Sequence, residues 1–216
     1  HLRAGPPTVW RGLASALAER NHWRAFAMSA LMMFTGFTVI PFITIYMQAN
    51  VGLGDADIPL LYLVGGAVTL LTARWFGRMT DRHGKVPTFT RLALLVALPL
   101  MATTLLPPAP LWVALLVSTG FFVLMSGRMI PGMAIITSAA EPRLRGTFMA
   151  LNAAVQSAAM GLASLVGGLI IVRDAAGRVE HYWVAGLIGV VASCASVVVA
   201  RRLRLHGAQQ GPDRRS

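Results

Sequence analysis

Long apolar blocks separated by short polar segments form the dominant pattern along this chain of 216 residues. A helix needs about 20 consecutive apolar residues to cross the hydrocarbon core of a bilayer. Each block of that length is predicted to be helical, because lipid offers no hydrogen-bond partner to an unpaired backbone group. The expected fold is an all-α integral membrane protein with six transmembrane helices, at roughly 24–49, 58–80, 86–106, 111–139, 146–172 and 182–203.

The same pattern divides the chain into three regions. Residues 1–22 are polar and are predicted to be a cytoplasmic linker with a short interfacial helix. Residues 23–203 are predicted to form the six-helix bundle, and residues 204–216 a cytoplasmic tail.

The six spans group as two triplets, 24–106 and 111–203. The first span of each triplet carries a Gly/Pro interruption, at Pro41 in one and at Pro131 in the other. Since each triplet has an odd number of spans, the second is inverted relative to the first. Inverted repeats with broken helices at matching positions are typical of secondary transporters.

Charge placement predicts the orientation. The net charge is +11, yet charged residues make up only 12% of the chain. If the N-terminus lies in the cytoplasm, all of the 19 Lys and Arg residues except Arg173 and Arg178 fall in or near inner segments. This is the positive-inside pattern, so both termini are expected in the cytoplasm. The basic charge indicates topology and contact with membrane lipid, not nucleic-acid binding.

Sequence patterns of enzymes are missing. The single cysteine, Cys194, allows neither a disulfide framework nor a cysteine metal cluster. The chain also lacks a phosphate-binding glycine loop, a His-Glu-x-x-His pair and a Gly-x-Ser-x-Gly turn. We therefore expect no catalytic activity, metal or cofactor. Met28, Met32 and Met33 are interpreted as packing or lipid-facing residues.

The loop between the second and third spans concentrates charge and glycine at one membrane surface. Its pattern, Gly77-Arg78-x-x-Asp81-Arg82-x-Gly84-Lys85, resembles the signature loop of the major facilitator superfamily. The resemblance implies a gating role, in which Asp81 and its basic neighbours break and re-form contacts during transport. Arg78 or Arg82 is expected to pair with Glu141, and Asp81 with Arg145.

Two further stretches carry the resemblance. The pattern Leu124-x-x-x-Arg128-x-x-Pro131-Gly132 is similar to the fourth-helix motif of drug/proton antiporters in this superfamily. The segment Glu141-Pro142-Arg143-Leu144-Arg145-Gly146 is similar to the turn before the fifth helix of a half, and its charges are candidate gate partners. The superfamily has two six-helix halves; residues 1–22 resemble the cytoplasmic linker before the seventh helix, and Phe34–Phe42 resembles that helix. The chain therefore resembles a C-terminal half, closest to bacterial drug- or sugar-efflux permeases, which implies a bacterial inner (plasma) membrane. Its N-terminal half is expected on the same full-length chain or on a separate one.

Polar residues within the spans are candidate substrate contacts. A charge at the depth of Arg128 costs roughly 2.5–3.5 kcal/mol on insertion scales, so it should face a cavity or partner, or else snorkel to the surface. Asn152 and Gln156 are four residues apart and share one helix face. Thr35 and Thr38 mark the first span. The resemblance implies that these spans line a central cavity; the alternative is hydrogen bonding between helices.

The sequence thus predicts proton-coupled efflux of small organic solutes, such as drugs or sugars, by alternating access. No acidic residue lies in the middle of a span, so the titrating carboxylate is expected in the other half. Two alternatives stay open: a non-transporting six-helix scaffold or truncated product, and a homodimeric six-helix carrier.

Overall fold

The computed structural model describes residues 9–206, so the linker residues 1–8 and the tail residues 207–216 lie outside the described residues. The helices and strands, in chain order, are α1 (Val9–Ala18), α2 (Arg20–Phe37), α3 (Ile43–Tyr46), α4 (Ile58–His83), α5 (Lys85–Leu95), α6 (Ala97–Thr104), α7 (Leu111–Ala139), α8 (Arg145–Ile170), β1 (Val172–Arg173), β2 (Val179–Glu180) and α9 (Tyr182–Arg201).

Six helical segments within residues 9–206 are long and apolar enough to cross a membrane, which confirms the predicted fold class. They are Arg20–Val51, Ile58–His83, Lys85–Thr104, Leu111–Ala139, Arg145–Ile170 and Tyr182–Arg201. The first begins at Arg20, earlier than predicted, because Glu19 caps it: its carboxylate accepts a hydrogen bond from the Asn21 amide at 3.3 Å.

The Gly/Pro interruption has different effects in the two triplets. In the first span, α2 ends at Phe37 and one tight turn at Ile40–Phe42 precedes α3. Pro41 cannot donate to the Phe37 carbonyl, which instead accepts a hydrogen bond from the Ser164 hydroxyl on α8 at 3.5 Å. In the fourth span, α7 continues through Pro131. Gly127, one turn before Pro131, is explained by packing against α4, because a Cβ there would lie 2.6 Å from the Phe76 ring.

Basic segments meet at one end of the bundle. The side-chain amide of Asn21 donates through Nδ2 to the carbonyls of Ala139 and Arg204, at 3.0 and 2.9 Å. These two hydrogen bonds join the start of α2, the end of α7 and the segment after α9. Lys85 reaches the same end, because its Nζ donates to the Ser138 hydroxyl at 2.6 Å. The β1–β2 hairpin carries Arg173 and lies between α8 and α9, at the end where α8 finishes.

Candidate functional site

A cavity of about 400 Å³ opens between α2, α7 and α8. Met125, which lines it, is the central residue of α7, so the cavity lies near the middle of that span. Its wall is mostly apolar and contains five methionines. The lining residues are Met32, Met33, Gly36, Phe37, Ile40, Phe122, Met125, Ser126, Arg128, Met129, Gln156 and Met160.

The spacing of these residues explains why they share one wall. Met32 and Gly36 are four residues apart on α2, Met125 and Met129 on α7, and Gln156 and Met160 on α8. Residues four apart lie on one face of a helix, so each helix presents a single face to the cavity. Unbranched thioether side chains adapt to irregular shapes, so this wall suits apolar ligands of varied form.

Arg128 is the only charged residue that residues 9–206 contribute to this cavity wall. Its side chain is 0% exposed. Nη2 donates to the Met32 carbonyl on α2 at 2.8 Å, and Nη1 to the Ser193 hydroxyl on α9 at 3.4 Å. Arg128 therefore bridges three helices and does not snorkel to the surface.

The Arg128 charge has no counterion within residues 12–206, and its Nε is buried without a hydrogen-bond partner. A buried charge held only by a carbonyl and a hydroxyl is costly, because neither acceptor carries a compensating charge. A buried cation near mid-span that lacks a charged partner makes Arg128 a candidate functional residue.

The loop after α4 is one residue long. Gly84 alone joins α4 to α5, with φ +86°, a conformation that L side chains rarely adopt. A Cβ at Gly77 would meet no atom of the described residues within 4 Å. Close packing against these residues therefore does not explain why position 77 is a glycine. Asp81, Arg78 and Arg82 are all exposed.

The predicted pairings with the α7–α8 turn do not form within residues 12–206. The Glu141 side chain makes no ion pair with Arg78 or Arg82, and its backbone amide donates to His22 Nε2 at 3.2 Å. Arg143 and Arg145 are exposed, and no ion pair joins Arg145 to Asp81 in this part of the chain. The arginines and Asp81 lie on the exposed surface, whereas Lys85 Nζ reaches Ser138 at the end of α7.

The comparison with known families decides what this bundle is. The family model of the Major Facilitator Superfamily matches residues 25–215. The chain belongs to the major facilitator superfamily. No curated protein matches the chain. Members of the superfamily are membrane transporters that bind small-molecule substrates. The family match and the six membrane-capable helices together show one half of a major facilitator fold.

In this major facilitator chain, the predicted polar contacts separate into two groups. Gln156 lines the cavity together with Arg128. Asn152 does not line it, because its buried Oδ1 accepts a hydrogen bond from the Ser29 hydroxyl at 2.6 Å. Thr35 and Thr38 donate to the Leu31 and Phe34 carbonyls of their own helix. Substrate contact by Asn152, Thr35 and Thr38 therefore stays a prediction. The contacts observed for these three side chains are hydrogen bonds within the bundle.

The methionine wall is what sequence reasoning missed. The sequence predicts that Met32 and Met33 pack in the core or face lipid, yet both line the cavity. Met28 is fully buried and does not line it. The four-residue spacing of methionine and glycine along α2 and α7 is the signal that would have indicated a shared face.

Proposed function

We propose that this chain is the C-terminal half of a secondary transporter that effluxes small, largely apolar organic solutes in exchange for protons. The observation that carries the proposal is the mid-span cavity of about 400 Å³, whose apolar wall contains the buried Arg128. A site near the middle of the spans suits alternating access, in which two six-helix bundles rock around it.

The composition of the wall favours drug-like solutes over sugars. Ser126, Gln156 and Arg128 are the polar residues among the lining side chains. A sugar in this wall would leave most of its hydroxyls without partners, and each buried unpaired hydroxyl costs about 1–3 kcal/mol. Because the wall holds a cation and no carboxylate, neutral or anionic amphiphiles fit it better than cationic ones.

The second six-helix half supplies the remaining parts of this mechanism. It covers the open side of the cavity and contributes the carboxylate that binds the proton, since the spans of this chain have no acidic residue near their middle. Asp81 and its arginines are exposed at the end of α4 and are available to contact that half. The positive-inside pattern supports cytoplasmic termini, and with them a gate at the inner surface of a bacterial inner membrane.

Efflux of four probes from cells that express the full protein tests the proposal. Nile red is neutral, 8-anilinonaphthalene-1-sulfonate is an anionic amphiphile, ethidium is cationic and methyl glucoside is a sugar. We expect efflux of the first two, lost when an uncoupler collapses the proton gradient, and no efflux of ethidium or methyl glucoside. The reason is the apolar wall with a single cation.

Two tryptophan variants provide the matched control. Met129→Trp fills the cavity, whereas Val191→Trp changes a residue of α9 that is 62% exposed and does not line it. Efflux should stop in the first variant and persist in the second. Export of methyl glucoside alone would identify a sugar carrier. Absence of efflux of every probe from correctly inserted protein would favour a non-transporting scaffold.

A further inference from the structure

A second cavity, of about 300 Å³, lies between α5 and α9, away from the candidate substrate cavity. It is lined by Val86, Pro87, Thr90 and Arg91 from α5 and by Arg201 from the last turn of α9. The first turn of α5 and the last turn of α9 place it at the basic end of the bundle. Among the described residues, its lining contains two arginines and no acidic residue.

The lining of this cavity includes a buried polar side chain, Thr90, as well as two surface arginines. Its side chain is 8% exposed, and its Oγ1 is buried without a hydrogen-bond partner within the described residues. A helical threonine usually donates to the carbonyl four residues earlier, as Thr72, Thr80 and Thr103 do here at 2.7–2.9 Å. The Thr90 hydroxyl makes no such hydrogen bond, so the cavity wall contains a buried donor without an acceptor.

The surface beside the cavity is apolar. Leu94, Leu95 and Leu98 on α5 and α6 are 49%, 52% and 74% exposed, and Val198 on α9 is 51% exposed. In a membrane-spanning bundle, side chains of this kind face lipid tails. The cavity thus joins a cationic pocket at the membrane surface to an apolar strip that continues into the membrane.

We propose that this cavity binds the phosphate of an anionic phospholipid. Arg91 and Arg201 pair with the phosphate oxygens, the Thr90 hydroxyl donates a third hydrogen bond, and the acyl chains lie along the strip of exposed leucines. Basic pockets between transmembrane helices on the cytoplasmic side are suited to such headgroups. The amino-terminal end of α5 adds a favourable dipole for the anion. A soluble phosphate has the same headgroup chemistry but gains nothing from the apolar strip.

Native mass spectrometry of the full protein in detergent tests this site by titration with dioleoyl phosphatidylglycerol. We expect a saturable one-to-one complex that dioleoyl phosphatidylcholine does not form and that inorganic phosphate does not displace. Arg91→Gln and Arg201→Gln should each weaken binding about tenfold, because each removes a charge-assisted contact to phosphate. Thr90→Val should weaken it several-fold, and Thr90→Ser should restore it.

Arg202→Gln is the matched control, since Arg202 is exposed, follows Arg201 directly and does not line the cavity. It removes the same charge and should leave binding unchanged. An equal loss in Arg201→Gln and Arg202→Gln would overturn the proposal, because general attraction between a basic surface and an anionic lipid would then explain the binding. Equal binding of both lipids, or displacement by inorganic phosphate, would overturn it as well. The melting temperature of each variant, measured without phosphatidylglycerol, verifies that it is folded.

Discussion

Replacing Arg128 with leucine is expected to reduce transport of 8-anilinonaphthalene-1-sulfonate by about 10- to 100-fold. A hydrogen bond to a charged group contributes about 1.5–3 kcal/mol, and each 1.4 kcal/mol is a factor of ten. Arg128 is the charged group in the cavity wall, so leucine leaves an anionic substrate without its partner. Lysine keeps the charge but not the planar fork that reaches both Met32 and Ser193, so Arg128→Lys should retain only part of the rate.

Stability separates this role from a purely structural one. The Arg128 cation has no counterion in the described chain, so its burial carries a desolvation cost that an apolar residue does not have. We therefore expect Arg128→Leu to insert and to melt at a temperature close to that of the unaltered protein. Arg20→Leu, at an exposed position at the start of α2, is the control for loss of one positive charge. Transport at the unaltered rate in Arg128→Leu, or failure of that variant to fold, would contradict a role in substrate binding.

Replacing Asp81 with asparagine is expected to reduce transport at least about tenfold without changing the amount of inserted protein, since a hydrogen bond to a charged group is worth about 1.5–3 kcal/mol. Asp81 is exposed and has no partner within residues 12–206, so its charge contributes little to the stability of this bundle. In the proposed mechanism its partner lies in the other six-helix half, and the contact forms in only one of the two transport states. Loss of the charge therefore acts on the balance between states and not on folding.

Transport assays of Asp81→Asn need a variant that removes an acidic charge elsewhere. Glu180→Gln serves this purpose, because Glu180 is exposed on β2, in the hairpin away from the loop that carries Asp81. It should transport at the unaltered rate. If Asp81→Asn also transports at that rate, the gating role is refuted.

The sequence predicts the spans well because membrane crossing depends on a local property, the length of an apolar block. It also predicts the break at Pro41, because a missing amide donor acts within one turn of helix. It does not predict the continuity of α7 through Pro131. Pro131 lacks the same amide donor as Pro41, so the local rule alone expects the same break at both positions.

The candidate site is predictable only in part, for a related reason. Arg128 is noticed because a charge within an apolar block is costly wherever it points. Whether Asn152 or Gln156 faces the cavity depends on the rotation of α8 against α2, which the contact of Asn152 with Ser29 fixes. The expected pair of Asp81 and Arg145 is absent from the described residues. Two side chains at the same membrane surface need not touch, and the sequence gives only the surface on which each one lies.

Access to the cavity from both sides of the membrane is the most direct test of the central claim that this chain contributes to an alternating-access transport site. The chain has one cysteine, Cys194, so Cys194→Ser gives a background without a thiol in this half. In that background, Met129→Cys should be labelled by a membrane-impermeant maleimide applied to either face, and Val191→Cys, on the lipid-facing surface, by neither. Nile red should slow the labelling at position 129. Labelling of Met129→Cys from one face only, or from neither, would contradict the account.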